Sequence, residues 1–319
     1  MIVTFTANPS LDRTAAVEGE VTRGGVNRLG PVGSEPGGKG VNVARAVHLA
    51  GCPTLAVVPA ETHDPLLTGL DAIAVAYANV PTGAPVRSNL TLVEADGTTS
   101  KFNEPGATLT EEHVVTLTNT LVGHARGAAW VALSGSLPPG APGNWYPLLI
   151  AALRPLGVKI AIDTSDAPLL ALAAALPDAA PDLIKPNSEE LGQLCGIDGL
   201  ALEAEAANDN WTPVLEAARQ LTAKGIGAVL VTLGGSGALL VTADGAWHAT
   251  PPPTVVASTV GAGDSSLAGY LLADLDGLDA PERLRRAVAY GSGAAALPGS
   301  QLPRPDQTNP ADVVVAPVA

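Results

Sequence analysis

Two glycines precede an aspartate where an extended stretch gives way to an apolar-periodic helix, in STVGAGDSSLAGYLLADL (residues 258–275). Gly261 and Gly263 allow a tight turn whose backbone amides point into one concavity, and the helix N-terminus adds positive potential there. This arrangement suits a phosphoryl group in transfer, with Asp264 accepting the proton of an attacking hydroxyl. Taken alone, the motif would favour the plainer interpretation that Asp264 is a helix N-cap.

An amide and a carboxylate stand three residues apart in IKPNSEEL (residues 184–191), where a strand runs into a helix. Asn187 and Glu190 lie on one face of the first helical turn, and their oxygens could hold the water shell of Mg²⁺, which needs few protein ligands. The same two residues match a capping box. The sequence leaves both interpretations open, and one pair can serve both purposes.

Two further motifs lie at strand ends, where the ligands of α/β proteins collect. In VTLGGSGALLV (residues 231–241), a glycine-rich turn allows close approach to a ligand, although alone an ordinary hairpin is the better interpretation. In NPSLD (residues 8–12), Asp12 could bind sugar hydroxyls or serve a turn. No G-x-G-x-x-G leads from a strand into a helix, so a dinucleotide site is not supported.

The stretch GSEPGGKGVN (residues 33–42) nearly matches the phosphate loop G-x-x-x-x-G-K-[ST]. Gly40 occupies the hydroxyl position, and the preceding residues do not resemble a buried strand, so a nucleotide loop is not predicted. The glycines, Lys39 and Asn42 still form a polar surface at a helix start. This surface fits a sugar phosphate better than a nucleotide.

These motifs need a scaffold, and β-rich apolar runs alternate with helix-like runs along the chain. Such alternation predicts an α/β fold in which helices cover both faces of a parallel sheet. The predicted strands are 2–7, 128–133, 158–163, 182–185 and 228–233, and the predicted helices are 41–51, 143–153, 188–195, 212–224, 262–275 and 281–297.

Residues 10–30 and 86–103 break this alternation, and the second segment alternates polar and apolar residues around an Asp-Gly turn signal. We expect both to form antiparallel strands outside the main sheet, as a small β-lid that excludes water from a reacting phosphate. The chain, 1–319, is then a single domain. The residues from 298 onward, rich in proline, are expected to wrap the surface. The predicted core comprises about 1–9, 31–85 and 104–319.

The formal net charge of −14 over 319 residues makes the chain a poor partner for polyanions, so nucleic-acid binding is not expected. The five histidines show no metal-ligand spacing and no C-x-x-C occurs, which argues against zinc. The first residues lack the features of a signal peptide, and the longest apolar run, 169–176, is too short to cross a bilayer. We therefore expect a cytoplasmic protein without a membrane partner.

Five motifs, in their order and spacing, resemble the ribokinase-like carbohydrate kinases: NPSLDR, GGKGVNVARA, SGSLPPG, K-P-N-x-x-E and GAGD. The resemblance extends to about residue 297 and indicates the phosphosugar branch of that superfamily. NPSLDRT and FNEPG (residues 102–106) look most like 1-phosphofructokinase within this branch. The resemblance implies a doubly wound, mostly parallel sheet with a small β-sheet lid, homodimers formed through the lid, and the use of ATP and Mg²⁺.

The resemblance also implies roles for individual residues. Asp264 would be the general base, and Gly261, Ala262 and Gly263 would form the anion hole. The implied sugar-phosphate ligands are Asp12, Gly38, Lys39, Asn42, Ser136 and Arg87, the last as a bidentate phosphate donor. The implied nucleotide site comprises Lys185, Asn187, Thr232, Gly235, Gly237 and Ser292. Asn187 and Glu190 would order Mg²⁺ through its waters.

The sequence departs from the family pattern at three positions. Thr91 replaces a lysine that usually follows Arg87, which puts some phosphate affinity in question unless Lys101 compensates. Ser266 stands where a larger apolar residue is common, and Asp166 stands where glycine is usual. None of the three removes the chemistry that the motifs imply.

The resemblance implies ATP-dependent phosphorylation of a ketose phosphate, above all of fructose 1-phosphate at its 6-hydroxyl. Tagatose 6-phosphate and fructose 6-phosphate are alternative acceptors, because the phosphate-bearing end of the sugar is selected by pocket geometry. Two other classes of function compete. A non-catalytic sugar-phosphate sensor is disfavoured by the intact GAGD motif, and a nicotinamide-dependent oxidoreductase is disfavoured by the missing dinucleotide motif.

Overall fold

The computed structural model describes residues 1–318. Its strands are β1 Ile2–Thr6, β2 Ser10–Val17, β3 Leu29–Gly37, β4 Thr54–Pro59, β5 Tyr77–Val80, β6 Arg87–Val93, β7 Thr99–Asn103, β8 Trp130–Ser134, β9 Lys159–Asp163, β10 Leu183–Ile184, β11 Ala228–Thr232, β12 Ala238–Thr242, β13 Gly245–Thr250 and β14 Val314–Pro317. Its α-helices are α1 Lys39–Leu49, α2 Pro65–Ala72, α3 Glu111–Ala125, α4 Trp145–Leu153, α5 Asp166–Ala174, α6 Ser188–Cys195, α7 Gly199–Ala207, α8 Thr212–Thr222, α9 Ala262–Leu275 and α10 Ala280–Ala295.

Within residues 1–318, ten strands form the main sheet in the order β14-β13-β12-β11-β10-β9-β8-β1-β4-β5. Neighbouring strands run parallel from β5 to β11, and β12, β13 and β14 add an antiparallel edge. Parallel neighbours need crossover connections, which the helices supply. The expected fold class, a mostly parallel α/β sheet with a separate small sheet, is confirmed.

Helices cover both faces of the main sheet because successive strand residues point to opposite sides. In β1, Val3 and Phe5 pack into one core together with residues of α3, α4 and α8. Ile2 packs into a second core together with residues of α1, α9 and α10. Burial on both faces makes these strands near-continuous apolar runs, which is why the sequence predicted several of them.

The edges of the sheet were less well predicted than its centre. The strands β4 and β5 were not identified, and the C-terminal residues do more than wrap the surface, because β14 pairs with β13 as the last strand of the sheet. The helix α9 has the predicted bounds, and α1 and α10 lie within two residues of theirs. None of the helices in the described part of the chain is both long and apolar enough to cross a membrane.

The remaining four strands form the lid, in the order β3-β2-β6-β7. The lid extends beyond the predicted boundary at residue 30, because β3 pairs with β2 as far as Gly37. Most of β3 is exposed, so it lacks the apolar pattern by which a buried strand is found. The prediction of antiparallel pairing is also wrong for the central pair of the lid, because β2 and β6 are parallel. Each of them follows a strand of the main sheet, β1 and β5 respectively, and these two strands run in the same direction and end on the same side of the main sheet.

Candidate active site

Asp264 lies in the first turn of α9. Gly261 precedes the helix with φ of 77°, a left-handed conformation that favours glycine. In the part of the chain that the structure describes, no side chain caps this helix end. The amide of Ala262 lies 3.4 Å from the carbonyl oxygen of Thr259, and the amides of Gly263 and Asp264 remain available to an anion. The N-cap interpretation of Asp264 is therefore wrong, because Gly261 occupies that position.

The carboxylate of Asp264 is buried, with 7% of the residue exposed, and accepts a 2.8 Å hydrogen bond from Nδ2 of Asn42. Burial and the negative charge of Asp163 raise its pKa to about 6, against the opposing effects of two lysines and of the Asn42 hydrogen bond. A general base works best when its pKa lies near the working pH. The surroundings thus give Asp264 the property that a base requires.

The glycines of residues 37–40 bring the start of α1 close to β1. Gly38 has φ of 102°, and a Cβ there would lie 2.9 Å from Cγ2 of Thr6. A Cβ on Gly40 would lie 2.8 Å from the carbonyl oxygen of Phe5. This close packing explains the glycine run without a nucleotide, and it aims Asn42 of the same helix at Asp264.

Lys39 and Lys185 are joined by a carboxylate that the sequence analysis did not identify. Asp163, the last residue of β9, is 1% exposed; its Oδ1 lies 2.8 Å from Nζ of Lys39 and its Oδ2 lies 3.2 Å from Nζ of Lys185. Burial disfavours the Asp163 carboxylate, but the two lysines outweigh burial and hold its pKa below the ordinary value. The signal was present in the sequence, since this aspartate ends a predicted strand at the ligand-binding edge.

Lys39, predicted to hold the sugar, contributes its charge to this buried cluster as well. Burial opposes its charged form, yet Asp163 and Glu190 raise the pKa of Lys39 above the ordinary value. The distance from its Nζ to Oε1 of Glu190 is 3.7 Å. The ammonium is therefore a fixed positive charge beside Asp264.

Asn187 and Glu190 form a capping box at the start of α6. Oδ1 of Asn187 accepts from the amide of Glu190 at 2.8 Å, and Oε2 of Glu190 accepts from the amide of Asn187 at 2.9 Å. The capping interpretation is confirmed. The other carboxylate oxygen of Glu190, Oε1, remains near Nζ of Lys39. Burial raises the pKa of Glu190.

The donor set fits a loosely held Mg²⁺ better than a tightly caged metal. Among residues 1–318, no group of three or more His, Cys, Asp or Glu side chains could hold a metal ion. Mg²⁺ keeps most of its waters and takes phosphate oxygens as ligands in nucleotide sites. Asn187 and Glu190 could therefore contact the waters of such an ion.

A cavity of about 450 Å³ opens next to the start of α9. Its walls also include the turn between β11 and β12, one side of α10 and the residues 251–254, which are rich in proline. The size and the mixed lining are those of a small-molecule site. The predicted nucleotide-site and anion-hole residues that line it are Thr232, Gly235, Gly237, Ser292, Ala262 and Gly263.

Lys185 lies close to this cavity, beside the predicted anion hole. A Cβ on Gly263 would lie 3.2 Å from Nζ of Lys185. The absence of a side chain at 263 therefore leaves room for the ammonium next to the first turn of α9. An isolated parallel β-bridge between Asn187 and Thr232 brings the start of α6 to the edge of this cavity.

Asp12 projects from the lid strand β2 toward the end of β3. Its Oδ1 accepts from Oγ of Ser10 at 2.7 Å and from Nδ2 of Asn89 at 3.1 Å. The carboxylate also lies against Gly37, where a Cβ would overlap it. Two donors and a glycine thus fix the Asp12 carboxylate in one orientation.

Arg87 and Ser136 are brought together by Asn8, which the sequence analysis did not single out. Arg87 donates to the carbonyl oxygens of Asn8 and Glu104, each at 3.2 Å. Its buried Nε has no hydrogen-bond partner among the described residues, and burial lowers its pKa against the effect of Asp12. Nδ2 of Asn8 donates to Oγ of Ser136 at 3.3 Å. Nη1 and Nη2 of Arg87 each make one of these hydrogen bonds and carry a second proton, so Arg87 retains donor capacity for an anion.

Two of the departures from the family pattern have a structural counterpart. Thr91 and Lys101 are directly paired across β6 and β7, so their side chains share one face of the lid. Asp166 opens α5 with φ of 56°, a conformation that glycine adopts at lower cost. The third, Ser266, lines the cavity next to the start of α9 and lies against Gly291, where a Cβ would be 2.3 Å from its Oγ.

Comparison with known proteins identifies the family of the chain. The chain is 37% identical to 1-phosphofructokinase of Rhodobacter capsulatus, over 96% of this chain and 94% of the relative, and 36% identical to ATP-dependent 6-phosphofructokinase isozyme 2 of Escherichia coli, over 96% of each. The crystal structure of phosphofructokinase-2 from Escherichia coli in complex with substrates and products is similar with a TM-score of 0.84 at 32% identity, covering 96% of both chains. The pfkB family carbohydrate kinase model matches residues 6–307, and the chain therefore belongs to that family.

Proposed function

We propose that this chain transfers the γ-phosphoryl group of ATP to the 6-hydroxyl of fructose 1-phosphate. The observation that carries the proposal is the buried Asp264, whose pKa is raised to about 6 at an uncapped helix N-terminus. Relatives named 1-phosphofructokinase from Rhodobacter capsulatus and Vibrio cholerae, 37% and 33% identical, support a ketose phosphate as the acceptor. A sugar-phosphate sensor would have no use for such a base.

In the proposed reaction, Asp264 takes the proton of the 6-hydroxyl as its oxygen attacks the γ-phosphorus. The bond from this phosphorus to the β–γ bridging oxygen breaks, and ADP leaves with the electron pair. The amides of Gly263 and its neighbours at the start of α9 hold the transferred oxygens. Because these donors are fixed by the helix, they need little reorganisation during the reaction.

Two lysines supply positive charge near the base. Lys39 and Lys185 are held apart by Asp163, at 2.8 Å and 3.2 Å, so neither ammonium pairs with Asp264. Asn187 and Glu190 would hold a Mg²⁺ ion through its waters. When bound, the ion would neutralise charge on the phosphate oxygens.

The lid supplies the acceptor side in this proposal. Arg87 would bind the phosphate of the sugar through the remaining protons of Nη1 and Nη2, and Lys101 would add the cation that Thr91 lacks. Asp12 and Ser136 would hold sugar hydroxyls. The backbone at Gly38, which precedes α1 without a side-chain cap in the described residues, would add amide donors.

The acceptor is tested by measuring kcat/KM for three sugar phosphates with a coupled assay of ADP release. We expect the highest value for fructose 1-phosphate and lower values for fructose 6-phosphate and tagatose 6-phosphate. A higher kcat/KM for either rival would reassign the substrate within the family. Binding of all three without ADP release would favour a sensor.

We further propose a homodimer formed through the outer face of the lid. Leu90 and Phe102 are directly opposed on this face, and Phe102 is 56% exposed. A sheet with one apolar face is stable only when that face is covered. Sedimentation equilibrium should give twice the monomer mass, and Phe102→Glu should give a monomer.

The chain would then be one kinase domain with a lid that serves both catalysis and assembly. It would work in the cytoplasm, where ATP and sugar phosphates are found.

A further inference from the structure

A chain of hydrogen bonds runs from the lid strand β3 to Asp264. Oε2 of Glu35, on β3, accepts from Nη2 of Arg45 at 2.7 Å. Nη1 of Arg45 lies 3.4 Å from Oδ1 of Asn42, and Nδ2 of Asn42 donates to Oδ2 of Asp264 at 2.8 Å. The two ends of this chain belong to the lid and to the main body of the domain.

Arg45 is fixed at both ends of its guanidinium. Nη1 also donates to the carbonyl oxygen of Pro36 at 2.9 Å, so two residues of β3 hold the arginine. Only 11% of its side chain is exposed. Oε2 of Glu35 accepts from Oγ of Ser300 as well, at 3.2 Å, which ties this carboxylate to the C-terminal part of the chain.

The Asn42 amide can point in two directions, and its neighbours select one. In the observed orientation its oxygen faces the guanidinium of Arg45 and its NH₂ group faces the carboxylate of Asp264. Turned by 180°, the amide would place oxygen against carboxylate and NH₂ against guanidinium, and both contacts would be repulsive. Arg45 therefore contributes to the orientation although it does not touch Asp264.

We propose that Arg45 is a positioning residue for phosphoryl transfer: held by the lid strand β3, it keeps the amide of Asn42 turned toward Asp264. The proposal rests on the proposed role of Asp264 as the general base. In it, the hydrogen bond from Asn42 favours the ionised, proton-accepting form of the base. Loss of Arg45 lets the amide of Asn42 turn away from Asp264, which lowers the fraction of Asp264 that is ionised at neutral pH.

Other charged groups lie near the two ends of this series of hydrogen bonds, at Asp264 and at Arg45, and the experiment must leave them unchanged. Asp264 is faced by Lys39 of α1, by Asp163 at the end of β9 and by Lys185 after β10. Removing Arg45 leaves all three in place. Around the guanidinium, Glu35 makes the ion pair, and His48 and Arg304 line the same surface cavity of about 290 Å³.

The test is a double-mutant cycle on kcat with Arg45→Met, Asn42→Ala and the double variant. We expect Arg45→Met to lower kcat at pH 7 by about tenfold with little change in KM for ATP, and to move the acid limb of the kcat profile to higher pH. Because Arg45 acts through Asn42, the double variant should be no slower than Asn42→Ala alone. A double variant that shows the product of the two single effects would overturn the proposal.

Two controls separate this role from general destabilisation and from loss of charge. Arg154→Met removes an exposed arginine that pairs with Asp182, and it should leave kcat and its pH profile unchanged. Arg45→Lys keeps the positive charge but removes the two-nitrogen guanidinium group, so it should restore kcat only in part. A kcat equal to that of the wild type would contradict the positioning role. If Arg45→Met does not fold, Glu35→Gln serves in the cycle and should show the same dependence on Asn42.

Failure of this inference and failure of the proposed base can be told apart. Asp264→Asn tests the base without touching Arg45. If that variant is inactive and the cycle is additive, only the positioning role is wrong. If Asp264→Asn turns over normally, the assignment of the base is wrong, and the proposal that depends on it falls as well.

Discussion

Nζ of Lys39, at the start of α1, lies 2.8 Å from Oδ1 of Asp163, at the end of β9. The second carboxylate oxygen lies 3.2 Å from Nζ of Lys185. One anion with 1% exposure thus holds two cations beside the candidate base. Such a cluster is stabilised only as long as its charges are paired, since an unpaired buried charge is strongly destabilising.

Asp163→Asn should therefore cost folding free energy on the order of 3 kcal/mol, because it removes the nearest anion of two lysines and leaves only the more distant Glu190 beside Lys39. It should also lower the pKa of Asp264, because the Asp163 charge contributes to raising it. Urea denaturation measures the first effect and the pH profile of kcat the second. Asp306→Asn is the matched control, since it removes an exposed partner of Arg304; a loss for Asp163→Asn no greater than for this control would contradict the account.

The pH dependence of stability should differ between the wild type and Asp264→Asn. The folded-state pKa of Asp264 is raised from 3.8 to about 6, so its contribution to stability is fully present below 3.8 and is lost as pH rises through 6. Asparagine is uncharged throughout this range. The variant should therefore gain stability over the wild type between pH 4 and pH 7.5, by about 3 kcal/mol at most. A difference in unfolding free energy that stays flat over this range would show that the carboxyl is not perturbed.

The left-handed residue at the start of α5 gives a prediction about stability alone. Asp166 is exposed and has φ of 56°, a conformation that costs a residue with a Cβ about 1 kcal/mol. Asp166→Gly should therefore be more stable than Asp166→Ala by about 1 kcal/mol, the reverse of the order in a helix interior. Thermal unfolding of the two variants decides this. The matched site is Ala74, also at φ of 56°, where Ala74→Gly should likewise increase stability.

Much of the site could be predicted because its residues follow strand ends. Asn187 and Thr232 belong to short motifs after apolar runs, and in parallel sheets such ends meet at one edge. Asp163 also lies at the end of a parallel strand, but it was not predicted because it belongs to no motif of several residues. Local spacing therefore identified the residues that occur in groups and overlooked a single carboxylate with the same placement.

The rest of the site depends on packing that local sequence does not encode. Asn42 and Asp264 are 222 residues apart in the chain and meet only because α1 packs against α9. The strand β3 reads as loop because glycine, proline and serine dominate it and most of it is exposed. It is held by backbone pairing with β2 and by the ion pair between Glu35 and Arg45, and neither leaves a periodic pattern.

The most direct test of the account is the turnover of Asp264→Asn at saturating ATP and fructose 1-phosphate. The variant keeps the size of the side chain and removes the proton acceptor, so kcat should fall by at least about a hundredfold. KM for ATP should stay close to the wild-type value, because the proposed nucleotide cavity is formed by other residues, such as Thr232 and Ser292. A kcat near that of the wild type would contradict the assignment of Asp264 as the general base.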